Sequence, residues 1–279
     1  MIIRHFDIQT PEAKPPQGKG WEQLWSRYYW MTKCISRQRR TEWAERDRNT
    51  RAEGKMTETE FQQDCLLSIL ADIKSNQVNI LELGAGWGRI CLALAGVIDY
   101  KIIPLIPISY RCLAVEGEPT HYQWAKEHFE IHNVRGIAVN GAVSSKSGTC
   151  RFSADASPDS QYGQSMIPLF NRYRIPSPGG LYYILTKKTV KIPMYSLDHL
   201  VQTYGFDHVD ILQMDVQGAE YKVMLGASES IKKDLIDYFF IGTHHRELND
   251  AIRQSLSPKF DLIIDLYPDS VGTALAFVQ

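Results

Sequence analysis

Apolar positions along the chain fall into short blocks, and the blocks alternate between two rhythms. Runs that are largely apolar read as buried strands: Val78 to Leu83, Arg111 to Glu116, Gly136 to Val143, His208 to Asp215 and Asp237 to Thr243. Between them lie segments suited to helices: Ile90 to Val97, Tyr122 to His132 behind Pro119, Tyr195 to Tyr204 and Gly218 to Leu225. Ahead of the first strand, Phe61, Cys65, Leu66, Ile69, Leu70 and Ile73 recur at helical spacing behind a Thr57/Glu60 capping box. Two last apolar runs, Phe260 to Leu266 and Thr273 to Val278, are joined by a hairpin signature at Pro268-Asp269-Ser270-Val271-Gly272. Strands alternating with helices predict an α/β domain built on a mostly parallel sheet covered on both faces, with an antiparallel edge contributed by the hairpin.

Two regions break this rhythm. Residues 1–20 are polar with Pro11, Pro15 and Pro16, and read as an extended arm. Trp21, Trp25, Tyr28 and Tyr29 then recur at a spacing that predicts an apolar helix stripe. Lys33 to Lys55 follows with basic residues outnumbering acids. Such a run is most simply a solvated helix face with i,i+4 pairs, although a basic face with interleaved aromatics can also grip nucleic acid. The second break, within residues 153–190, collects prolines, glycines, Tyr162, Phe170, Tyr173, Tyr182, Tyr183, Arg172 and Arg174, and predicts a substrate-covering lid. The division expected is 1–56 as an N-terminal arm and helical extension, and 57–279 as the main domain.

The candidate chemistry begins where the first strand turns into a helix, at Glu82-Leu83-Gly84-Ala85-Gly86-Trp87-Gly88. A tight strand-to-helix turn is expected to aim free backbone N–H groups at one point beside the positive end of the helix dipole. The alternate glycines do not match the G-x-G-x-x-G of a dinucleotide site. The pattern E-x-G-x-G-x-G instead resembles the first motif of class I S-adenosylmethionine (SAM) methyltransferases. Under that resemblance Glu82 holds the ligand's cationic end or orders the loop.

In open α/β sheets ligands bind beyond the carboxyl ends of the strands, which selects further loci. Glu116 ends the second strand, where a carboxylate can accept from both ribose hydroxyls, with Glu118 as its rival. Asn140-Gly141-Ala142-Val143 ends the third strand, where small residues meet the adenine. Asp215 ends the fourth beside the sulfonium. Thr243-His244-His245 ends the fifth, where a histidine can take a hydroxyl proton.

The block Val209 to Glu220, with Asp210-Ile211-Leu212-Gln213-Met214-Asp215-Val216-Gln217-Gly218-Ala219-Glu220, resembles the hallmark D-x-L-K-x-D-V-[EQ]-G-A-E of the FkbM family of SAM-dependent methyltransferases. Gln213 stands where that family usually has lysine. Ala114-Val115-Glu116-Gly117-Glu118-Pro119, Asn140 to Gly148 and Ser196-Leu197-Asp198 resemble three more of its blocks in the same order, although Gly117 replaces a proline. The resemblance covers about residues 78–245. It implies a Rossmann-like class I methyltransferase fold with a seven-stranded sheet. It also implies SAM as cofactor, S-adenosylhomocysteine as product, and O-methylation of a hydroxyl on a sugar, glycoconjugate or small natural product. The expected cofactor residues are Glu82, Gly84, Ala85, Gly86, Gly88, Glu116, Gly117, Gly141, Ala142 and Asp215. The expected catalytic residues are His245 or His244, with Asp215 as rival base or orienter. Related O-methyltransferases hold a divalent metal with an Asp-Asn pair near the fifth strand; His244-His245 replaces it here, so no metal is expected.

Composition narrows the rest. With 31 basic and 32 acidic residues the net charge is −1, which gives no global drive toward nucleic acid or anionic membranes. The five cysteines, Cys34, Cys65, Cys91, Cys112 and Cys150, form no C-x-x-C pair and imply reduced thiols. No signal peptide or bilayer-spanning run is present, so a cytoplasmic protein is expected. The expected partners are a small-molecule or carbohydrate acceptor and a second copy of the chain docked through the aromatic N-terminal helix. The rival readings are an RNA methyltransferase gripping its substrate with residues 33–55, and a non-catalytic interaction module.

Overall fold

A computed structural model describes residues 21–23, 29–31, 34–54, 58–99, 108–154, 163–167, 185, 189–244, 246–266 and 273–279. The 1–20 arm, Trp25, Tyr28, Thr57, His245, the 268–272 turn and the aromatic and arginine residues of the 153–190 segment named above lie outside the described residues.

In chain order the elements are β1 (Trp21–Gln23), β2 (Tyr29–Met31), α1 (Arg37–Ala52), α2 (Glu58–Asp72), β3 (Gln77–Leu83), α3 (Arg89–Val97), β4 (Ser109–Glu116) and α4 (Pro119–His132). They continue with β5 (Gly136–Asn140), β6 (Ala142–Val143), β7 (Gly148–Ser153), β8 (Thr189–Tyr195), α5 (Leu197–Thr203), β9 (Val209–Met214) and α6 (Glu220–Leu225). The last are α7 (Ser228–Lys232), β10 (Ile236–Thr243), α8 (Arg246–Leu256), β11 (Asp261–Leu266) and β12 (Thr273–Val278).

Seven strands form the main sheet in the order β11-β12-β10-β9-β3-β4-β5. The five from β10 to β5 are parallel, and β12 runs antiparallel between β10 and β11. The expected α/β architecture with an antiparallel C-terminal hairpin is present. Strand order reverses between β3 and β9, where Leu83 pairs with Met214 on one side and Val115 on the other. The carboxyl ends of β3, β4 and β9 are therefore level, and that is where a crevice opens.

Burial explains why these runs became strands. Every residue of β9 is buried, as are Ile80 to Leu83 in β3 and Cys112 to Glu116 in β4. One apolar layer, with Leu66, Leu70, Ile80, Leu92, Leu94 and Phe240, packs α2 and α3 on one face; another, with Leu113, Leu200, Leu212, Phe239 and Phe277, packs the opposite face. Cys34 and Ile35, just ahead of α1, belong to the first layer. α1 itself buries none of its residues. Among the described residues no helix is long and apolar enough to cross a membrane.

Four expectations change. Trp21–Gln23 and Tyr29–Met31 are paired antiparallel strands rather than parts of a helix: Trp21 pairs with Met31, Glu22 with Trp30 and Gln23 with Tyr29. Aromatic residues favour a pleated surface, and too few at helical spacing were present to outweigh that. The third strand divides at Gly141, with β5 in the main sheet and β6 in a second, three-stranded sheet ordered β6-β8-β7. A Cβ on Gly141 would lie 2.4 Å from the Tyr195 ring, so only glycine lets the chain cross from one sheet to the other there. Ser153, the first residue of the expected lid, ends β7, and Thr189 opens β8. Tyr195 ends β8, and the helix after it starts at Leu197, with the Ser196 hydroxyl capping it by accepting from the His199 N–H.

Candidate active site

The turn after β3 is shaped by its contact with β9. Gly84 has φ +74°, and a Cβ there would sit 2.0 Å from the Asp215 carbonyl oxygen. The Asp215 N–H in turn donates to the Leu83 carbonyl at 2.9 Å. Gly86 and Gly88 also take positive φ, 55° and 79°, which a side chain would strain. Gly88 is the N-cap position of α3 and faces Ala125 and Phe129 of α4, so its role is packing.

The backbone amides of this turn are used differently from expectation. Those of Gly84 and Ala85 donate to the Val115 carbonyl, that of Gly88 to the Ala85 carbonyl, and that of Gly86 to Glu116 Oε2 at 2.7 Å. Glu82, almost wholly buried, accepts from the Ile90 and Cys91 N–H groups at 3.0 and 2.8 Å. It ties the start of α3 to the sheet, which is the loop-ordering alternative rather than a direct grip on a ligand. Burial pushes its carboxyl up to about 7 against those bonds.

Glu116 lies at the end of β4 with its two oxygens facing the Gly86 and Glu118 N–H groups, each at 2.7 Å. Burial again dominates and pushes its carboxyl up to about 7. The rival Glu118 is committed elsewhere: its Oε2 accepts from the Thr120 and His121 N–H groups as the N-cap of α4. A cavity of about 630 Å³ lies over these strand ends. Glu82, Gly84, Ala85, Gly86, Glu116, Gly117, Gly141, Ala142 and Asp215 line it, whereas Gly88 and His244 are not among its walls. Gly117 is pinned from behind, since a Cβ there would meet the Phe152 ring at 2.6 Å.

Beyond β9 and β10 three titratable groups meet. His244 Nε2 stands 3.3 Å from Asp215 Oδ1, and its Nδ1 stands 3.5 Å from Glu220 Oε1. Gln217 donates its amide to Asp215 Oδ1 at 2.9 Å. Glu220 is fully buried at the first position of α6; its Oε1 accepts from the Val216 and Gly218 N–H groups, while Oε2 has no hydrogen-bond partner among the described residues. With a carboxylate on each ring nitrogen, His244 is held toward its charged form, first by Glu220 and then by the Asp215 charge, against the effect of burial. Burial raises the Asp215 carboxyl, and the His244 charge opposes that rise.

Several wall residues escaped the sequence reading. Arg39, Trp43 and Arg46 of α1 reach the cavity, as do His121, Phe152, Gln164, Met166, Gln213 and Gln217. The i, i+4, i+7 spacing of the α1 trio was the available signal, since it places all three on one helix face. Burial pushes His121 down to about 4, so it stays neutral near pH 7.

Glu82, Glu116 and Asp215 share the wall with Arg39, Arg46 and Arg89, which suits a ligand carrying both charges, and the amides of Gly84, Ala85, Gly86 and Gly88 are bonded within the protein rather than free for a pyrophosphate. Residues 105–263, more than half of the chain, match the family model described as the methyltransferase FkbM domain, which begins after the glycine turn. No curated protein matches the sequence significantly. Solved structures that resemble the chain include the METTL16 methyltransferase domain, at 12% identity and TM-score 0.40. That match covers 76% of this chain and 63% of the other, so this chain spans less than two thirds of that length. The N-terminal domain of human METTL16 in complex with SAH gives 10% identity over 78% and 68%, with TM-score 0.43. Fibrillarin from Aeropyrum pernix, with natively bound S-adenosyl-L-methionine, gives 13% over 72% and 66%, with TM-score 0.36.

Proposed function

The chain belongs to the FkbM methyltransferase family, and from that premise we propose that it is a SAM-dependent O-methyltransferase acting on a hydroxyl of a sugar, glycoconjugate or other small natural product. The observation that carries the O-methyl reading is the Asp215–His244–Glu220 constellation at the strand ends, where an acid that opens onto the cavity is backed by a histidine. When bound, the cofactor supplies an electrophilic methyl group on a sulfonium. Glu116 is the residue to accept the ribose hydroxyls, since each carboxylate oxygen keeps a lone pair beyond its bond to backbone N–H. Gly117, Gly141 and Ala142 leave room for a base.

Proton removal falls to Asp215 rather than to His244. Glu220 and the Asp215 charge shift His244 toward its charged form, which makes it a poorer proton acceptor, whereas burial raises the basicity of the Asp215 carboxylate. In this reading His244 keeps Asp215 ionised and oriented, and Glu220 fixes His244 from behind. Positioning and exclusion of water supply the rest of the rate.

Calorimetry tests the cofactor. SAM and S-adenosylhomocysteine should bind, with binding abolished by Gly86→Trp and weakened by Glu116→Ala. Binding of NAD in preference to both would end the reading. For the acceptor, a screen of hydroxylated sugars, small natural products and RNA should give label transfer to hydroxyl oxygen. Transfer to RNA alone, falling steeply with salt, would overturn the small-acceptor proposal.

A further inference from the structure

α1 is an arginine-rich helix that contributes nothing to the core, yet one of its faces closes the cavity. The face consists of Arg39, Trp43 and Arg46, and the strand-end wall of the same cavity carries Glu82, Glu116 and Asp215. Acids gather at the strand ends, where Arg89 at the start of α3 stands beside them with its guanidinium donating to Gln62, and two further guanidinium groups stand on α1.

The glycine turn sharpens the point. A negatively charged ligand group at a strand-to-helix turn is ordinarily met by backbone amides. Here the amides of Gly84, Ala85, Gly86 and Gly88 are bonded within the protein. An anion entering this cavity therefore has to find its donors on side chains, and those on α1 have the right chemistry. A guanidinium presents a planar fork that matches two oxygens of a carboxylate or phosphate. Arg39 and Arg46 do pair with acids of their own helix, Glu42 at 3.5 Å and Asp47 at 3.7 Å. Both of these pairs are solvent-accessible neighbours on one helix, of the kind that contributes little to stability. Trp43, 39% exposed, sits between them in the helical row and offers a flat apolar surface.

We propose that the Arg39–Trp43–Arg46 face of α1 is an anion-recognising wall of the cavity, taking a carboxylate or phosphate group from one of its ligands. Two sources share that chemistry: the carboxylate of the cofactor's amino-acid portion, and an acidic group on the methyl acceptor. Both sources rest on the methyltransferase reading, whereas the affinity of the wall for a free anion does not.

The test compares the full chain with Arg39→Gln/Arg46→Gln and Arg39→Lys/Arg46→Lys. None of these changes touches the core, and unchanged thermal unfolding verifies that. Each protein is titrated calorimetrically with S-adenosylhomocysteine, with 5′-methylthioadenosine, which keeps the nucleoside but lacks the amino-acid group, and with inorganic phosphate in the presence and absence of S-adenosylhomocysteine. A loss of tenfold or more for S-adenosylhomocysteine in the glutamine variant, with 5′-methylthioadenosine unchanged and partial recovery with lysine, supports the wall and assigns it to the cofactor. Equal S-adenosylhomocysteine binding, with salt-sensitive phosphate binding that the glutamine variant loses, supports the wall and assigns it to the acceptor. Glutamine and wild-type proteins that behave alike with all three probes overturn the proposal, and phosphate binding that persists in the glutamine variant marks an adventitious ion only and overturns it too. A wild-type chain that ignores S-adenosylhomocysteine defeats the methyltransferase reading instead, and the phosphate titration of the free protein then decides the wall by itself.

Discussion

Strands β9 and β10 carry a histidine with two carboxylates at each end of the sheet, and the two clusters differ in what their oxygens are doing. At the amino end, His208 Nε2 lies 2.8 Å from Asp237 Oδ2 and 4.0 Å from Asp210 Oδ1. The buried Asp210 carboxylate also accepts from the Ser75 hydroxyl at 3.1 Å and the Asn79 N–H at 2.7 Å. Both of its oxygens are satisfied by the protein, and they tie the entry of β3 to β9. At the carboxyl end, the same residue types leave Glu220 Oε2 without a hydrogen-bond partner among the described residues and Asp215 open to a cavity. Residue type therefore does not mark the chemistry. Parallel strands converge on short, mutually bonded entries at one end and on diverging connections at the other, so the same triad is a strap below and a site above.

Five substitutions probe that contrast, in order of expected effect. Gly84→Ala strikes the junction of β3 and β9, where the new Cβ would meet the Asp215 carbonyl at 2.0 Å with φ at +74°. We expect a loss of roughly 3 kcal/mol or more in stability together with loss of SAM binding, read by denaturant unfolding and calorimetry. Second, Asp215→Asn should lower methyl transfer by about 10²-fold or more while leaving the unfolding midpoint nearly unchanged. Asp210→Asn should do the reverse, costing about 1–3 kcal/mol in stability with turnover per folded molecule intact. If both variants lose activity in proportion to stability, the distinction between the two ends fails.

Third, pH should register the buried carboxyl groups at the upper end. Glu82 and Glu116 rise from 4.5 to about 7 on folding, so between those values the folded chain binds more protons than the unfolded one. Their contribution is full below about pH 4.5 and is lost as pH climbs through about 7, roughly 3 kcal/mol for each group. Unfolding measured from pH 4.5 to 8 in wild type and in Glu116→Gln should show a gentler fall in the variant. SAM affinity, which favours the ionised Glu116, should instead increase over that window. The smallest effect belongs to His208→Gln, which removes a partly exposed pair and should cost about 0.5 kcal/mol or less by denaturant titration.

The sequence made the main sheet legible because β3, β4, β9 and β10 are buried on both faces, and a continuous apolar run leaves few alternatives. The strand-end residues followed from the same logic: Glu116 and Asp215 are found on the cavity because the strands that deliver them end where the apolar runs end. What stayed hidden was set by contacts between distant segments. β7 and β8 are short, partly exposed strands carrying Arg151, Lys191 and Pro193, and only their mutual pairing defines them. The split at Gly141 depends on Tyr195, and the separation of Glu116 from Glu118 depends on which carboxylate caps α4. The cavity face of α1 carries no apolar stripe beyond Trp43, so composition alone reads it as solvated surface.

The place of β12 has a consequence for how the molecule comes into being. Residues 273–278 pair with β10 on one side and β11 on the other, and Leu275, Ala276 and Phe277 are fully buried. During synthesis, β9, β10 and the strands beyond them emerge before β12 exists, leaving Phe239, Phe240 and Ile241 on an open edge with unpaired backbone groups. A nascent chain halted before residue 273 would therefore be a sticky intermediate rather than a weaker version of the finished protein. The strand-end residues would already be present in it, while the sheet that holds them level would still be waiting for its keystone.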